Sequence, residues 1–471
     1  MPMNSFDDYP MSWKLDRRRL ARPYYRSIAD AMEHDVINGV LEPNTKLPPQ
    51  RELADFLDVN LSTVTRAYKT CELKGLIYAT IGKGTYVSSK NRSENVLLQN
   101  DKTTKIIELG TIQPFYQLNS IVVKTAQKLF EKPYAMNLLE YVQPLDSTKY
   151  LESARLWFEK FNLEISTDNI IFTSGGQNAL SIALISLFQP GDKIAVDCYT
   201  YPNFIGLANL LRIQLIPIQL DDWGMLPEEL ERNCRTTNLK GIYLMPSCSN
   251  PTNLTMPMER RKQLATVIKR YDLILIEDDT YSFLLPGLYL PFAAQIPDQT
   301  VYICGTSKSI CAGLRVAFMA FPDRMSALLS NGAYYANLKT PTVNIEIIAE
   351  LITSGLADQI IEKKIQLAKE RNSIYKKYFP DADHFNEISL FQWLALPGDI
   401  DSLQAESASK KQGVRILSSQ KFAVGATDKY SHVRLATCSP KNVEELEKGL
   451  GIIRKIIDEN SHIAAKSEFI V

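Results

Sequence analysis

The sequence predicts an α/β protein whose larger part is a mainly parallel sheet covered by helices, preceded by a small domain of short helices and a hairpin. From about residue 106 onward, strand-like and helix-like segments alternate, the pattern of parallel strands joined by helices. The first 90 or so residues have a different texture, with shorter periodic segments and tighter turns. Between them, "SSKNRSENVLLQNDKTTK" is polar, lacks a sustained apolar period and contains neither glycine nor proline, so it reads as a short linker. The expected boundaries are therefore 1–90, 91–105 for the linker, and 106–471.

Composition narrows the class. At 471 residues the chain exceeds one typical domain, and 45% hydrophobic with 23% charged residues is ordinary for a globular protein. The balance of 53 basic against 53 acidic side chains excludes binding to nucleic acid by bulk charge, so such a partner has to be carried by a motif. The start, "MPMNSFDDYPMSW", places acids and a proline where a secretory signal needs a basic and then an apolar run, and no later stretch reaches the length of a membrane span. A cytoplasmic protein without membrane contact is expected. Cys71, Cys198, Cys234, Cys248, Cys304, Cys311 and Cys438 are scattered without metal-ligand spacing, which predicts free thiols and no metal centre.

In the first domain, "YYRSIADAMEHDVINGV" places Tyr25, Ile28, Met32, Val36 and Ile37 at helical spacing, and Gly39 stops the helix. Two short helical segments follow, "QRELADFLDV" and "LSTVTRAYKTCELKGL", joined as closely as in a helix-turn-helix. Leu53, Ala54, Leu57, Val64, Ala67 and Leu73 supply the shared core, and Asn60 stands at the cap. Ser62, Thr63, Thr65 and Arg66 are left at the amino end of the second helix, the part that a recognition helix presents to the major groove of double-stranded DNA. "LIYATIGKGTYV" then reads as a hairpin whose Lys83 reaches a phosphate or the minor groove. Short helix pairs also occur in helical adaptors, so the periodicity alone leaves that reading open.

In the larger domain several strands end in unusual chemistry. "NIIFTSGGQNAL" turns into a helix at Gly175-Gly176, "DKIAVDCYTYP" ends near Tyr201, "GIYLMPSCSNP" at Asn250, "YDLILIEDDTY" at Asp278 and "VYICGTSK" at Lys308. Ligands of open parallel sheets sit at the carboxyl ends of strands. Taken singly, each residue is a turn, a cap or a packed ring. Together they meet the requirements of pyridoxal 5'-phosphate. Its phosphate needs backbone N–H donors at a helix start, offered by Gly176 and Gln177, and a forked cation, offered by Arg315. Its ring nitrogen needs a carboxylate, Asp278, while Asn250 and Tyr281 suit the phenolic oxygen and Tyr201 the ring face. Lys308 then supplies the amine that forms a Schiff base with the aldehyde and, once displaced, shuttles a proton.

The stretch "LPPQRELADFLDVNLSTVTRAYKTCELKGLIYATIGKGTYV" resembles the winged helix-turn-helix domain of the GntR family, which implies DNA contacts from Arg51 and the first turn of the recognition helix. Leu61 stands where many relatives have arginine. From about residue 106 the chain resembles a fold-type I, class I/II aminotransferase through "SNPT", "EDDTY", "SKSICAGLR" and "HVRLA". That resemblance implies the fold-type I architecture with a smaller C-terminal α+β subdomain, a grip on an α-carboxylate by Arg434, and a phosphate contact from Tyr141 of a neighbouring subunit. Gly305 stands where relatives often have a phosphate-binding serine, so that one contact is either lost or taken over by Thr306 or Ser307, and Asn253 and Asp146 replace frequent glycines.

The two modules in this order resemble the MocR, or GabR-like, family of bacterial transcriptional regulators along essentially the whole chain. The resemblance implies a head-to-tail homodimer that binds an operator and senses an amino compound, or pyridoxal 5'-phosphate itself, in the aminotransferase-like domain. A working aminotransferase acting on an amino acid and a 2-oxo acid is the alternative from another class.

Overall fold

The computed structural model describes residues 11–37, 40–42, 45–73, 76–80, 84–88, 106–140, 148–285, 287–397, 400–425 and 432–467. In the first unit, helical spacing builds one small core from α1 (Tyr24–Ile37), α2 (Gln50–Leu57) and α3 (Leu61–Leu73). Ile28, Met32 and Val36 of α1 meet Leu53, Ala54 and Leu57 of α2 and Val64, Ala67 and Cys71 of α3. Only Asp58, Val59 and Asn60 separate α2 from α3, and the chain turns there because Asp58 adopts φ +48° and returns its N–H to the carbonyls of Ala54 and Asp55. β1 (Ile77–Thr80) and β2 (Gly84–Val87) pair antiparallel, with Tyr78 stacked on Tyr86 across the pair. Trp13 extends this core beyond the expected helices: it is buried, and its indole N–H donates to Asp35 at 2.8 Å. Gly39, Lys83 and the linker after Ser88 lie outside the described residues.

The larger unit is built on a seven-stranded sheet. Its strands are β3 (Ile170–Thr173), β4 (Lys193–Asp197), β5 (Gln214–Ile218), β6 (Leu239–Leu244), β7 (Ile274–Asp278), β8 (Thr300–Gly305) and β9 (Ala317–Ala320). They lie in the order β3-β9-β8-β7-β6-β4-β5, parallel except for β9, which runs against both of its neighbours. Helices on both faces explain the apolar runs, because successive strand residues go to opposite sides. Ile194 and Val196 join one core cluster and Ala195 the other; Tyr243 joins the first, Ile242 and Leu244 the second. The carboxyl ends of β6, β7 and β8 consequently open at one edge, where the chain leaves each strand with polar residues.

A smaller C-terminal unit follows the helix Leu356–Tyr378. Strands Gln392–Ala395, His432–Leu435 and Leu417–Ser418 form an antiparallel sheet, backed by helices Ser402–Lys411 and Val443–Ser467. The residues just after the linker belong to this unit, since Ile107–Glu108 pairs in parallel with Val414–Arg415. No helix among the described residues is long and apolar enough to cross a membrane.

Candidate functional site

A cavity of about 530 Å³ opens at the strand ends, and Lys308, Asp278, Tyr281, Asn250, Tyr201, Gly176, Gln177, Ser307, Arg315 and Arg434 all line it. Tyr141 lies outside the described residues.

One end of the cavity is built for an anion. The helix Gly176–Leu187 points its first turn into it, and the N–H groups of Gly176 and Gln177 find no carbonyl one turn back to donate to, whereas those of Asn178 and Ala179 donate to the Gly175 carbonyl. Gly175, at φ +87°, caps that helix, and a Cβ on it would stand 2.6 Å from Nη2 of Arg315, so a residue without a side chain is what admits the guanidinium. Arg315 donates from Nη1 to the Ser307 hydroxyl at 3.0 Å. Fork, hydroxyl and helix start thus converge. Of the two residues expected to replace a serine at position 305, Thr306 is ruled out. It is fully buried, and its hydroxyl donates to the Val316 carbonyl at 2.8 Å. Ser307 remains on the cavity. Thr280, which the sequence reading missed, takes up the space next to Gly305: a Cβ there would lie 3.3 Å from the Thr280 hydroxyl.

Asp278 ends β7 and is buried, accepting from the hydroxyls of Thr280 at 2.6 Å and Tyr243 at 3.0 Å. Tyr243 is itself fixed by a 3.8 Å stack on Phe204. Burial pushes the Asp278 carboxyl up, and the two hydroxyls pull it back down. A buried carboxylate in this position gains from a cationic ring nitrogen. Tyr281 is buried with its ring set edge-on to Phe391, and the Tyr201 hydroxyl accepts from Asn203 at 3.0 Å.

Lys308 sits in the short turn Thr306–Ser309 after β8, its Nζ donating to the Ile112 carbonyl at 2.9 Å. Burial lowers its amine to about 8; Arg434 and Arg315 push the same way and Cys438 opposes them. A second buried lysine, also missed in the sequence, holds this turn in place: Lys364 donates to the carbonyls of Lys308 at 2.9 Å and Ile310 at 3.0 Å.

Arg434 is buried at the opposite end. It donates from Nη1 to Asn250 Oδ1 at 2.7 Å and from Nη2 to the Gly110 carbonyl, and its Nε has no partner among the described residues. Phe422 and Phe391 flank its guanidinium at 4.9 and 5.6 Å from the ring centroids. Burial lowers it to about 10. A desolvated guanidinium facing neutral acceptors favours an anion that completes its fork. Asn250 was expected at the phenolic oxygen; its carbonyl serves Arg434, which leaves the amide N–H group for the ring. Glu108 and Arg415, paired at 2.9 Å, complete the wall on this side and were not singled out in the sequence.

On the reader, Ser62, Thr65 and Arg66 are exposed along one face of α3, at positions i, i+3 and i+4, and Lys69 continues it at i+7. Thr63 turns off that face and is half-buried. The Thr65 hydroxyl donates to Gln50 at the start of α2, beside exposed Arg51. The Arg66 guanidinium lies 3.9 Å over the Tyr25 ring of α1.

The donor set fits pyridoxal 5'-phosphate at each end: an anion cradle, a buried carboxylate for the ring nitrogen and a lysine with a lowered amine. Comparison with known proteins agrees. Residues 104–450 match the aminotransferase class I and II family, and residues 24–87 the gntR family of bacterial regulatory proteins. The HTH-type transcriptional regulator YdeF of Bacillus subtilis is 38% identical over 98% of this chain and its own full length. The vitamin B6 salvage pathway transcriptional repressor PtsJ of Salmonella typhimurium is 29% identical over 64% of this chain and 68% of its own. Among solved structures, an archaeal alanine:glyoxylate aminotransferase superposes with a TM-score of 0.71 over 76% of this chain and 92% of its own, at 24% identity. Pyridoxal 5'-phosphate is the cofactor of this fold. The chain belongs to the aminotransferase class I and II family and carries a gntR-family reader ahead of that domain, the MocR-like architecture of HTH-type transcriptional regulators.

Proposed function

We propose that the protein is a pyridoxal 5'-phosphate-binding transcriptional regulator whose aminotransferase-like domain takes up an amino compound and thereby alters the hold of the reader on its operator. The observation that carries this reading is the presence, in one chain, of an exposed polar recognition face on α3 and a cavity equipped at both ends for cofactor and carboxylate. YdeF, matched along its full length, and PtsJ are both named as transcriptional regulators, which supports it.

The roles of the residues follow from their chemistry. Gly176, Gln177, Ser307 and Arg315 hold the phosphate, Asp278 keeps the ring nitrogen protonated, and Asn250, Tyr281 and Tyr201 orient the ring. When bound, the cofactor supplies an electrophilic aldehyde conjugated to an electron-withdrawing ring. The Lys308 amine anchors it, and Arg434 grips the carboxylate of the incoming amino compound. With that compound in place the Lys308 amine would be free, standing where it would take or return a proton. The release changes DNA affinity only if one arrangement of the readers binds the ligand better than another.

A head-to-tail homodimer is part of the proposal. Val123 and Phe130, seven residues apart on one helix, and Leu328 and Tyr335, seven apart on another, are more than half exposed, as are Met136 and Leu139. Faces of this kind suit burial against a second copy. The partner's chain would then supply the contact expected of Tyr141, and two readers would meet two operator half-sites, with Arg51, Ser62, Thr65, Arg66 and Lys83 as the contacting set and Thr63, turned off the face, left out of it. A DNA partner and seven cysteines outside any disulfide suit the cytoplasm.

A second reading, a working aminotransferase, is favoured by the lowered amine of Lys308, which suits a proton shuttle near neutral pH. Titrating the holo protein with a panel of amino acids, with and without its own upstream DNA, separates the two. A visible spectrum that changes once per site together with altered DNA affinity supports the regulator. Keto acid released over many turnovers with DNA affinity unmoved overturns it in favour of the enzyme.

A further inference from the structure

Arg415 stands in the cavity wall with a role that neither the cofactor nor the α-carboxylate uses. It follows Val414 in the short strand that pairs with Ile107–Glu108, and one of its nitrogens, Nη1, donates to Glu108 Oε2 at 2.9 Å. Glu108 is fully engaged: its other oxygen accepts the N–H groups of Gly110 at 2.8 Å and Thr111 at 2.7 Å. Arg415 is not fully engaged, because its Nε and Nη2 have no partner among the described residues. The pair thus presents donors to the cavity rather than acceptors.

Arg415 also lies close to Arg434. A Cβ on Gly110 would meet Cγ of Arg415 at 3.0 Å, while the carbonyl of the same Gly110 accepts from Arg434, so the stem of one arginine and the guanidinium of the other flank one residue. Arg415 stands two residues before Leu417, and Leu417 is paired directly with Arg434 across antiparallel strands. Val414 and Ile416 pack into one core cluster and Leu417 into another, so alternation along the chain turns Arg415 to the side of Leu417 and hence of Arg434. Both line the cavity that holds Lys308.

We propose that Arg415 is a second anion subsite and that the ligand is an amino acid carrying an acidic group on its side chain. This inference rests on the reading above that Arg434 receives the α-carboxylate. With that carboxylate in place, the open donors of Arg415 remain on the same cavity wall, and a second carboxylate takes them as charge-assisted hydrogen bonds. An apolar side chain would cover them without replacing the water they lose. A basic side chain would find Glu108 already saturated.

The test uses the pyridoxal 5'-phosphate-loaded full chain and two inert probes, glutarate with two carboxylates and butyrate with one, measured by titration calorimetry. Wild type is expected to bind glutarate at least about tenfold tighter than butyrate. Arg415→Gln brings that ratio close to one while butyrate affinity holds, and Arg434→Gln weakens both probes. Arg415→Lys, which keeps the pairing with Glu108, guards against a folding defect and should retain only part of the preference. Equal binding of the two probes by wild type, or an undiminished preference in Arg415→Gln, overturns the subsite. The two proposals fail separately. DNA affinity that responds to neutral amino acids as strongly as to acidic ones sinks the subsite and spares the regulator, whereas glutarate preference with DNA affinity deaf to every amino acid does the reverse.

Discussion

Capture of the cofactor by Lys308 should depend on pH in a way that an ordinary lysine would not. Only the neutral amine attacks an aldehyde, and burial lowers this amine to about 8 from the usual 10.5. At pH 7.5 an amine at 8 is about 24% neutral, and one at 10.5 about 0.1%, so the structure grants Lys308 roughly a 200-fold larger reactive fraction. The sign is fixed by the direction of the shift: below about 8 the amine holds its proton and capture slows, and above it the rate levels off. Mixing apo protein with pyridoxal 5'-phosphate at a series of pH values and following the visible band of the lysine-bound cofactor reads this directly. The expected profile rises tenfold per pH unit below 7 and bends near 8, and Lys308→Ala shows no band. A rate still climbing tenfold per unit through pH 9 would refute the desolvated amine, and an undiminished band in Lys308→Ala would refute the assignment of the lysine.

Three further outcomes follow from individual contacts. Replacing Lys364 with methionine leaves the carbonyls of Lys308 and Ile310 without their buried donor, which should cost about 1–3 kcal/mol in a urea titration and slow cofactor capture; an unchanged midpoint and rate would show that the turn holds itself. Asp197 is buried, one of its oxygens has no partner among the described residues, and burial pushes its carboxyl up to about 7. A raised carboxyl favours the fold fully below its unfolded value and loses that contribution as pH rises toward 7, so Asp197→Asn should gain up to about 4 kcal/mol at pH 8 and little at pH 4; equal effects at both values would contradict this. Arg51→Ala removes an exposed cation beside Thr65 and Gln50, and the slope of log binding constant against log salt should shrink by about 1 per half-site; an unaltered slope would remove Arg51 from the DNA contacts.

Much of the cavity was legible in the sequence because parallel strands deliver their carboxyl ends to one edge. Asp278, Lys308 and Asn250 each come within a few residues of the end of an apolar run, so the pattern already points them at one edge. What stayed hidden depends on partners far along the chain. Arg415 meets Glu108 across 307 positions, and Lys364 reaches the Lys308 turn from a helix 56 residues later, distances that no local period encodes. Thr306 shows a different limit. A hydroxyl two residues before a lysine reads as a phosphate ligand in the sequence, yet the backbone turn aims it at the Val316 carbonyl. On the reader, core positions Leu53, Leu57, Val64 and Ala67 follow from spacing, whereas the packing of Arg66 over Tyr25 depends on how α1 crosses α3.

The central claim is that occupation of the cavity at Lys308 and Arg434 changes the grip of the reader on DNA. The most direct test is fluorescence anisotropy of the cofactor-loaded protein on a fragment of its own upstream DNA, with and without a saturating acidic amino acid, beside Arg434→Gln. The account predicts a shift of at least about fivefold in wild type and none in the variant. Identical DNA affinity with and without the amino acid in wild type, or a shift that survives Arg434→Gln, would contradict it.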